Sequence, residues 1–113
     1  MSSQRIGYDK RFPLWRSHGG RCPYCGKHVP LLDMQVDHIL PKFLIGQPDR
    51  LRDLKREYGL EESFDLSDYC NWLPSHPACN RRKGACVPDR GVALFFISLA
   101  KSKVSVARER SSD

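Results

Sequence analysis

Hydrophobic residues recur at two different periods along this chain. From Val29 to His38 they alternate, with Leu32, Met34 and Val36 separated by Asp33, Gln35 and Asp37, which is the period of a strand and predicts a hairpin there. Elsewhere the spacing is helical. Pro48 at a first helical position, Leu51, Leu54 and Tyr58 on one face, and Gly59 as a stop predict an amphipathic helix whose other face carries Arg52, Lys55 and Arg56. After Pro88, Asp89 suits an N-cap, and Val92, Phe95, Phe96 and Leu99 form an apolar stripe widened by Ala93, Ile97 and Ala100.

Shorter segments follow from local punctuation. Tyr8, Phe12 and Trp15 are helically spaced, but Pro13 fits a first turn better than an interior, so a short helix is expected near residues 12–18 and ends at Gly19-Gly20. Arg21 to Gly26 reads as a tight knuckle. Residues 61–74 mix acidic clusters with a short apolar run and read as loop. A second short helix begins near Pro77 and carries Cys79, Asn80 and Lys83. The basic tail from Lys101 is expected to fray. These elements describe an α+β chain forming a single domain over residues 1–113, with a core over about residues 20–86 and a helical C-terminal extension over about 89–108.

Composition narrows the class. With 113 residues, 40% hydrophobic and 28% charged, the chain has the make-up of a small water-soluble protein, in which a bound metal would add useful stability to a modest core. A formal charge of +6 attracts phosphate backbones, although it also serves solubility alone. Ser2 to Lys10 has no secretory pattern, and the apolar run Val92–Ile97 is far short of the roughly 20 residues that span a bilayer, so a cytoplasmic protein with no membrane partner is expected. Five cysteines cannot all pair internally, and a reducing compartment favours metal ligation.

Cys22 and Cys25 are separated by two residues, and so are His76 and Cys79, which is the two-knuckle arrangement of a tetrahedral structural zinc site. Pro23 and Pro77 occupy the same place within each knuckle. The plainer reading is a redox pair or free thiols beside a surface histidine. Cys70 and Cys86 have no partner at ligand spacing and read as buried free thiols. Asp37 and His38 lie between the two half-sites. A histidine titrating near neutrality can take a proton from water, and the pair reaches one site if the strand ends there, as Pro41 suggests.

The order Cys-x-x-Cys, Asp-His-Ile-x-Pro and Asn-x-x-x-x-His-x-x-Cys-Asn-x-x-Lys-Gly resembles the zinc-containing branch of the HNH endonucleases. It is carried by Cys22 and Cys25; by Asp37 to Pro41; and by Asn71, His76, Cys79, Asn80, Lys83 and Gly84, over roughly residues 22–84. The resemblance implies a ββα-metal fold and hydrolysis of DNA phosphodiesters to 3′-hydroxyl and 5′-phosphate ends. It implies His38 as general base, Asp37 and Asn80 as ligands of a catalytic cation, and Asn71 as the residue holding the loop that orients His38. A carboxylate and an amide oxygen are hard donors, suited to Mg²⁺ or Mn²⁺ and distinct from the structural Zn²⁺. Three departures stand out. Asn80 replaces a frequent histidine, His76 stands where a cysteine is usual, and residues 42–69 form an insertion in place of a glycine-rich turn.

Arg81, Arg82 and Lys83, together with Lys42, are candidates for contact with the nucleic-acid backbone, or else a solvated face. Trp15 and Trp72 read as core. DNA, double-stranded by preference, is the expected partner, with a homodimer or a larger nuclease or defence complex as further possibilities. Two other readings use the same residues: a zinc module that grips nucleic acid without cutting it, and a thiol-redox protein built on Cys22 and Cys25.

Overall fold

The computed structural model describes residues 6–111. In chain order these form helix α1 (Tyr8–Ser17), strand β1 (Gln35–His38), a 3₁₀ turn (Lys42–Gly46), helix α2 (Pro48–Tyr58), a second 3₁₀ turn (Tyr69–Asn71), strand β2 (Trp72–Ser75), helix α3 (Pro77–Lys83) and helix α4 (Arg90–Ser111). The fold is therefore α+β, with a strand–strand–helix unit of β1, β2 and α3 between flanking helices. The strands are antiparallel, Gln35 opposite Ser75 and His38 opposite Trp72.

The sheet differs from the predicted one in an instructive way. Alternation from Val29 suggests a local hairpin, but the segment before Gln35 turns instead, with Met34 N–H reaching Leu31 carbonyl at 3.4 Å and Leu32 left 92% exposed. β1 finds its partner in β2, inside the segment read as loop. Pro74 hid that strand. The bond from Ile39 N–H to Asn71 carbonyl at 2.9 Å, continued through the register, puts Pro74 opposite Val36 at a non-hydrogen-bonded position, where a missing N–H costs no ladder bond.

All four residues of β2 are buried, and its alternating sides serve two different clusters. Leu73 joins Ile39, Leu40, Leu44, Tyr58 and Ile97 on one side; Trp72 joins Leu14, Cys22, Val29 and Met34 on the other. Removing the Leu73 side chain to alanine would cost about 2–5 kcal/mol.

The helices correct three further expectations. α1 begins at Tyr8 and holds Pro13 in its interior, where the lost bond to the preceding turn is offset by burial of Leu14 and packing of α1 on α4. α4 does not fray at Lys101 but continues to Ser111, because Val104 and Ala107 pack on the second cluster. Its apolar stripe is the expected one without the Val92 and Phe95 edge. Ala93, Ile97, Ala100 and Ala107 face inward, small side chains that admit a long helix close to the core, while Val92 and Phe95 of the predicted stripe are 49% and 65% exposed. α2 is as expected, from Pro48 to a left-handed Gly59 (φ 73°). Its Tyr58 hydroxyl donates to Pro88 carbonyl at 2.5 Å, tying the insertion to the start of α4. No helix among the described residues is long and apolar enough to cross a membrane.

Candidate metal centre and adjoining cleft

The first knuckle forms because Cys22 N–H bonds Lys27 carbonyl at 2.9 Å and Gly26 N–H bonds Cys22 carbonyl at 2.7 Å, a turn that closes with Gly26 at φ 75°. The second is the step from β2 into α3, where Pro77 starts the helix and Asn80 N–H bonds His76 carbonyl at 3.0 Å. Among the described residues, Cys22, Cys25, His76 and Cys79 are the one group of three or more Cys, His, Asp or Glu able to hold a metal ion, with ligand atoms all within 4.8 Å of one another. Cys25 Sγ lies 3.4 Å and Cys79 Sγ 4.0 Å from His76 Nδ1. Three sulfurs and an imidazole nitrogen at such spacing suit tetrahedral zinc.

His76, the departure from the expected cysteine, is well prepared as a ligand. Its Nε2 lies 2.9 Å from the His28 carbonyl, a contact that places the proton on Nε2 and leaves the Nδ1 lone pair toward the sulfurs. The thiols shift in opposite directions. Burial works against ionising Cys22, but backbone N–H groups of His76, Cys25 and Tyr24 outweigh it and bring the thiol down to about 7. Burial and then the bond and charge of Cys22 push Cys79 up to about 11. Thiolates at this spacing repel one another, and a bound dication removes the conflict. Cys70 is only half-buried and Cys86 is exposed, so neither is the fully buried thiol expected.

Asp37, His38 and Asn80 line one open cleft of about 430 Å³ beside the clip, with Lys42, Phe43, Arg81 and Lys83 also on its walls. A second cleft of about 520 Å³ shares His38, Lys42 and Asn80 with it and adds Arg11. β1 ends at His38, which lets the neighbouring Asp37 and His38 serve one opening although strand residues alternate sides. His38 is half-buried with its ring edge-on to Trp72, centroids 6.2 Å apart. Its pKa is lowered by burial first and then by Lys42; Asp37 pulls the other way and Lys83 adds a smaller lowering, with the net direction toward the neutral imidazole.

Asn71 is fully buried and clasps the chain just beyond His38. Its Oδ1 accepts from Leu40 N–H at 2.8 Å, and its Nδ2 donates to the carbonyls of Leu40 and Leu66 at 3.0 and 3.1 Å. Asp37 is 3% exposed and held at both oxygens. Lys83 Nζ donates to Oδ1 at 2.8 Å and also to the His38 carbonyl at 2.7 Å, while the Tyr24 hydroxyl donates to Oδ2.

Two findings lay beyond sequence reasoning. Lys83, expected among the cations that meet a phosphate backbone, is turned inward to Asp37, which leaves Arg81 and Lys42 at the cleft and Arg82 on the exposed surface of α3. Tyr24 sits between two knuckle cysteines, and nothing in a Cys-Pro-Tyr-Cys spacing reveals that its hydroxyl meets a carboxylate carried by another element. The donor chemistry fits a hard cation. A carboxylate has about four lone-pair sites, so Asp37 keeps acceptor capacity beyond its two bonds. Asn80 donates through Nδ2 to Gln35 Oε1 at 2.9 Å, which leaves its amide oxygen for the cleft. No family model, curated protein or solved structure matches this chain, so the assignment of its chemistry rests on these residues alone.

Proposed function

We propose that this protein is a divalent-cation-dependent endonuclease of the HNH kind that hydrolyses DNA phosphodiesters, its clip loaded with one structural zinc. The observation that carries the reading is the convergence of a histidine, a buried carboxylate, an amide and the cationic Lys42 and Arg81 on one open cleft directly beside the Cys₃His cluster. A purely structural zinc module has no use for that combination.

The roles follow from position. His38 takes the proton from the attacking water, a role favoured by its lowered pKa and by Trp72 and the Asn71 clasp, which limit the freedom of the ring and of the chain that follows it. Arg81 and Lys42 bind the phosphate backbone and hold it in line. Asp37 and the Asn80 oxygen would hold Mg²⁺ or Mn²⁺, which when bound supplies positive charge against the phosphate and the departing 3′ oxygen. Water adds to phosphorus, the bond to the 3′ oxygen breaks, and that oxygen leaves with a proton, giving 3′-hydroxyl and 5′-phosphate ends. A single site of this kind cuts one strand per visit.

The alternative, a zinc-stabilised module that binds nucleic acid without cutting it, is favoured by one observation, that both Asp37 oxygens already accept hydrogen bonds. Plasmid nicking in Mg²⁺ separates the two. The native chain should convert supercoiled to open-circular plasmid and His38→Ala should be slower by roughly 10²–10⁴-fold, the range of a lost general base. Binding without nicking by the zinc-loaded native chain would establish the module instead.

A further inference from the structure

Tyr24 touches more of the molecule than any packing role requires. Its ring lies against both hydrophobic clusters and edge-on to Phe96 of α4, centroids 5.0 Å apart. A phenylalanine would fill that space equally well. The hydroxyl is needed for one contact, the bond to Asp37 Oδ2. On the chain, Tyr24 stands between Cys22 and Cys25, so its backbone is part of the knuckle that presents two sulfurs to the metal.

We propose that Tyr24 is a positioning residue that links the two metal sites: its hydroxyl fixes the Asp37 carboxylate from the Cys22/Cys25 knuckle, so that the closed clip sets the orientation of a ligand for the catalytic cation. The inference rests on the nuclease reading for the identity of that cation. Asp37 is gripped from two sides, by Lys83 of α3 at Oδ1 and by Tyr24 at Oδ2, and both holders belong to segments that the clip draws together. The carboxylate cannot turn about its terminal bond without losing one of them. Groups that orient a metal ligand in this way are typically worth 10–100-fold in affinity or activity when removed.

The test compares the zinc-loaded native chain with Tyr24→Phe, which keeps the ring and its packing. Zinc content should be equal in both. Mn²⁺ binding followed by electron paramagnetic resonance should weaken by about 10-fold or more in Tyr24→Phe, and the Mn²⁺ concentration giving half-maximal nicking should rise in step. A cycle with Asp37→Asn checks the contact without any catalysis, because the two losses in denaturation midpoint should be non-additive if the hydroxyl and carboxylate are bonded. Additive losses overturn the inference, as does unchanged Mn²⁺ binding in Tyr24→Phe or absence of Mn²⁺ binding by the native chain. Weakened Mn²⁺ binding with no nicking by either protein would uphold the role of Tyr24 and remove the nuclease reading. Nicking that is equal in both proteins with equal Mn²⁺ dependence would do the reverse.

Discussion

The Cys/His clip and the Asp37/His38 cleft lie side by side, yet they are built by opposite means. In the clip each half is a local turn whose two ligands are three positions apart, and the halves need only meet. In the cleft the two candidate cation ligands and the chain after His38 are held by residues from other elements: Asp37 by Tyr24 and Lys83, Asn80 by Gln35, and the chain beyond His38 by Asn71. The first is a compact ligand set that could hold one zinc ion; the second is an open set whose donors keep spare capacity. Damage to the clip should therefore abolish the fold, whereas damage to the cleft should alter chemistry at little structural cost.

The largest effect tests that division directly. Cys79→Ser, or chelation of the native chain, should release the metal and unfold the domain, seen as loss of zinc together with loss of the cooperative melting transition. An unaltered transition would place stability in the two hydrophobic clusters and make the clip dispensable. Next, His38→Ala should lower nicking by roughly 10²–10⁴-fold with the melting temperature nearly unchanged, since the half-buried imidazole meets Trp72 edge-on and makes no side-chain hydrogen bond among the described residues. A large melting loss would show that the cleft is structural after all.

Lys83 sharpens the boundary, because its ion pair belongs to the cleft but is buried. Lys83→Ala leaves the Asp37 carboxylate without its ammonium, with side-chain exposures of 19% and 3% in the pair, and should cost about 3 kcal/mol by chemical denaturation. Acid separates the regions again. Burial and Lys103 hold His18 down to about 4, below its unfolded value near 6.5. Its contribution is thus complete above pH 6.5 and lost as pH falls toward 4, on the order of 2 kcal/mol after allowing for partial exposure. His18→Gln should flatten the stability profile in that window relative to the native chain while leaving nicking at neutral pH intact. The smallest effect is in the cleft: the lowered pKa of His38 should keep nicking level through the ordinary histidine range, with the acid fall below it. Lys42→Ala should move that fall upward, as one positive neighbour is removed.

This contrast also explains what could be read from the residues alone. Cys22, Cys25, His76 and Cys79 were visible because local spacing defines a knuckle, and α2 was visible because Pro48, Gly59 and one apolar face all agree. β2 was not, since it is four residues long and contains Pro74, and its strand character comes from burial on both sides. In α4 the expected Ala93, Ile97 and Ala100 are buried and Phe96 and Leu99 pack on the core, whereas size and hydrophobicity wrongly favoured Val92 and Phe95, which close packing of the small residues leaves exposed. Asp37, His38, Asn80 and the Asn71 clasp came from order along the chain, but the holders of Asp37 and Asn80 could not. Tyr24 and Lys83 act through hydrogen bonds to Asp37 across 13 and 46 residues.

The wide separation of the ligands has a consequence for the chain during its synthesis. Cys25 and His76 are 51 positions apart, and the insertion lies between them. At ribosomal rates of about 5–20 residues per second, the first knuckle waits several seconds for its counterpart. During that interval it is an incomplete thiol pair, open to oxidation or to a passing soft metal. The segment that carries β2 and α3 brings the second pair of ligands and the second strand together, so any metal capture by the clip would coincide with completion of the sheet.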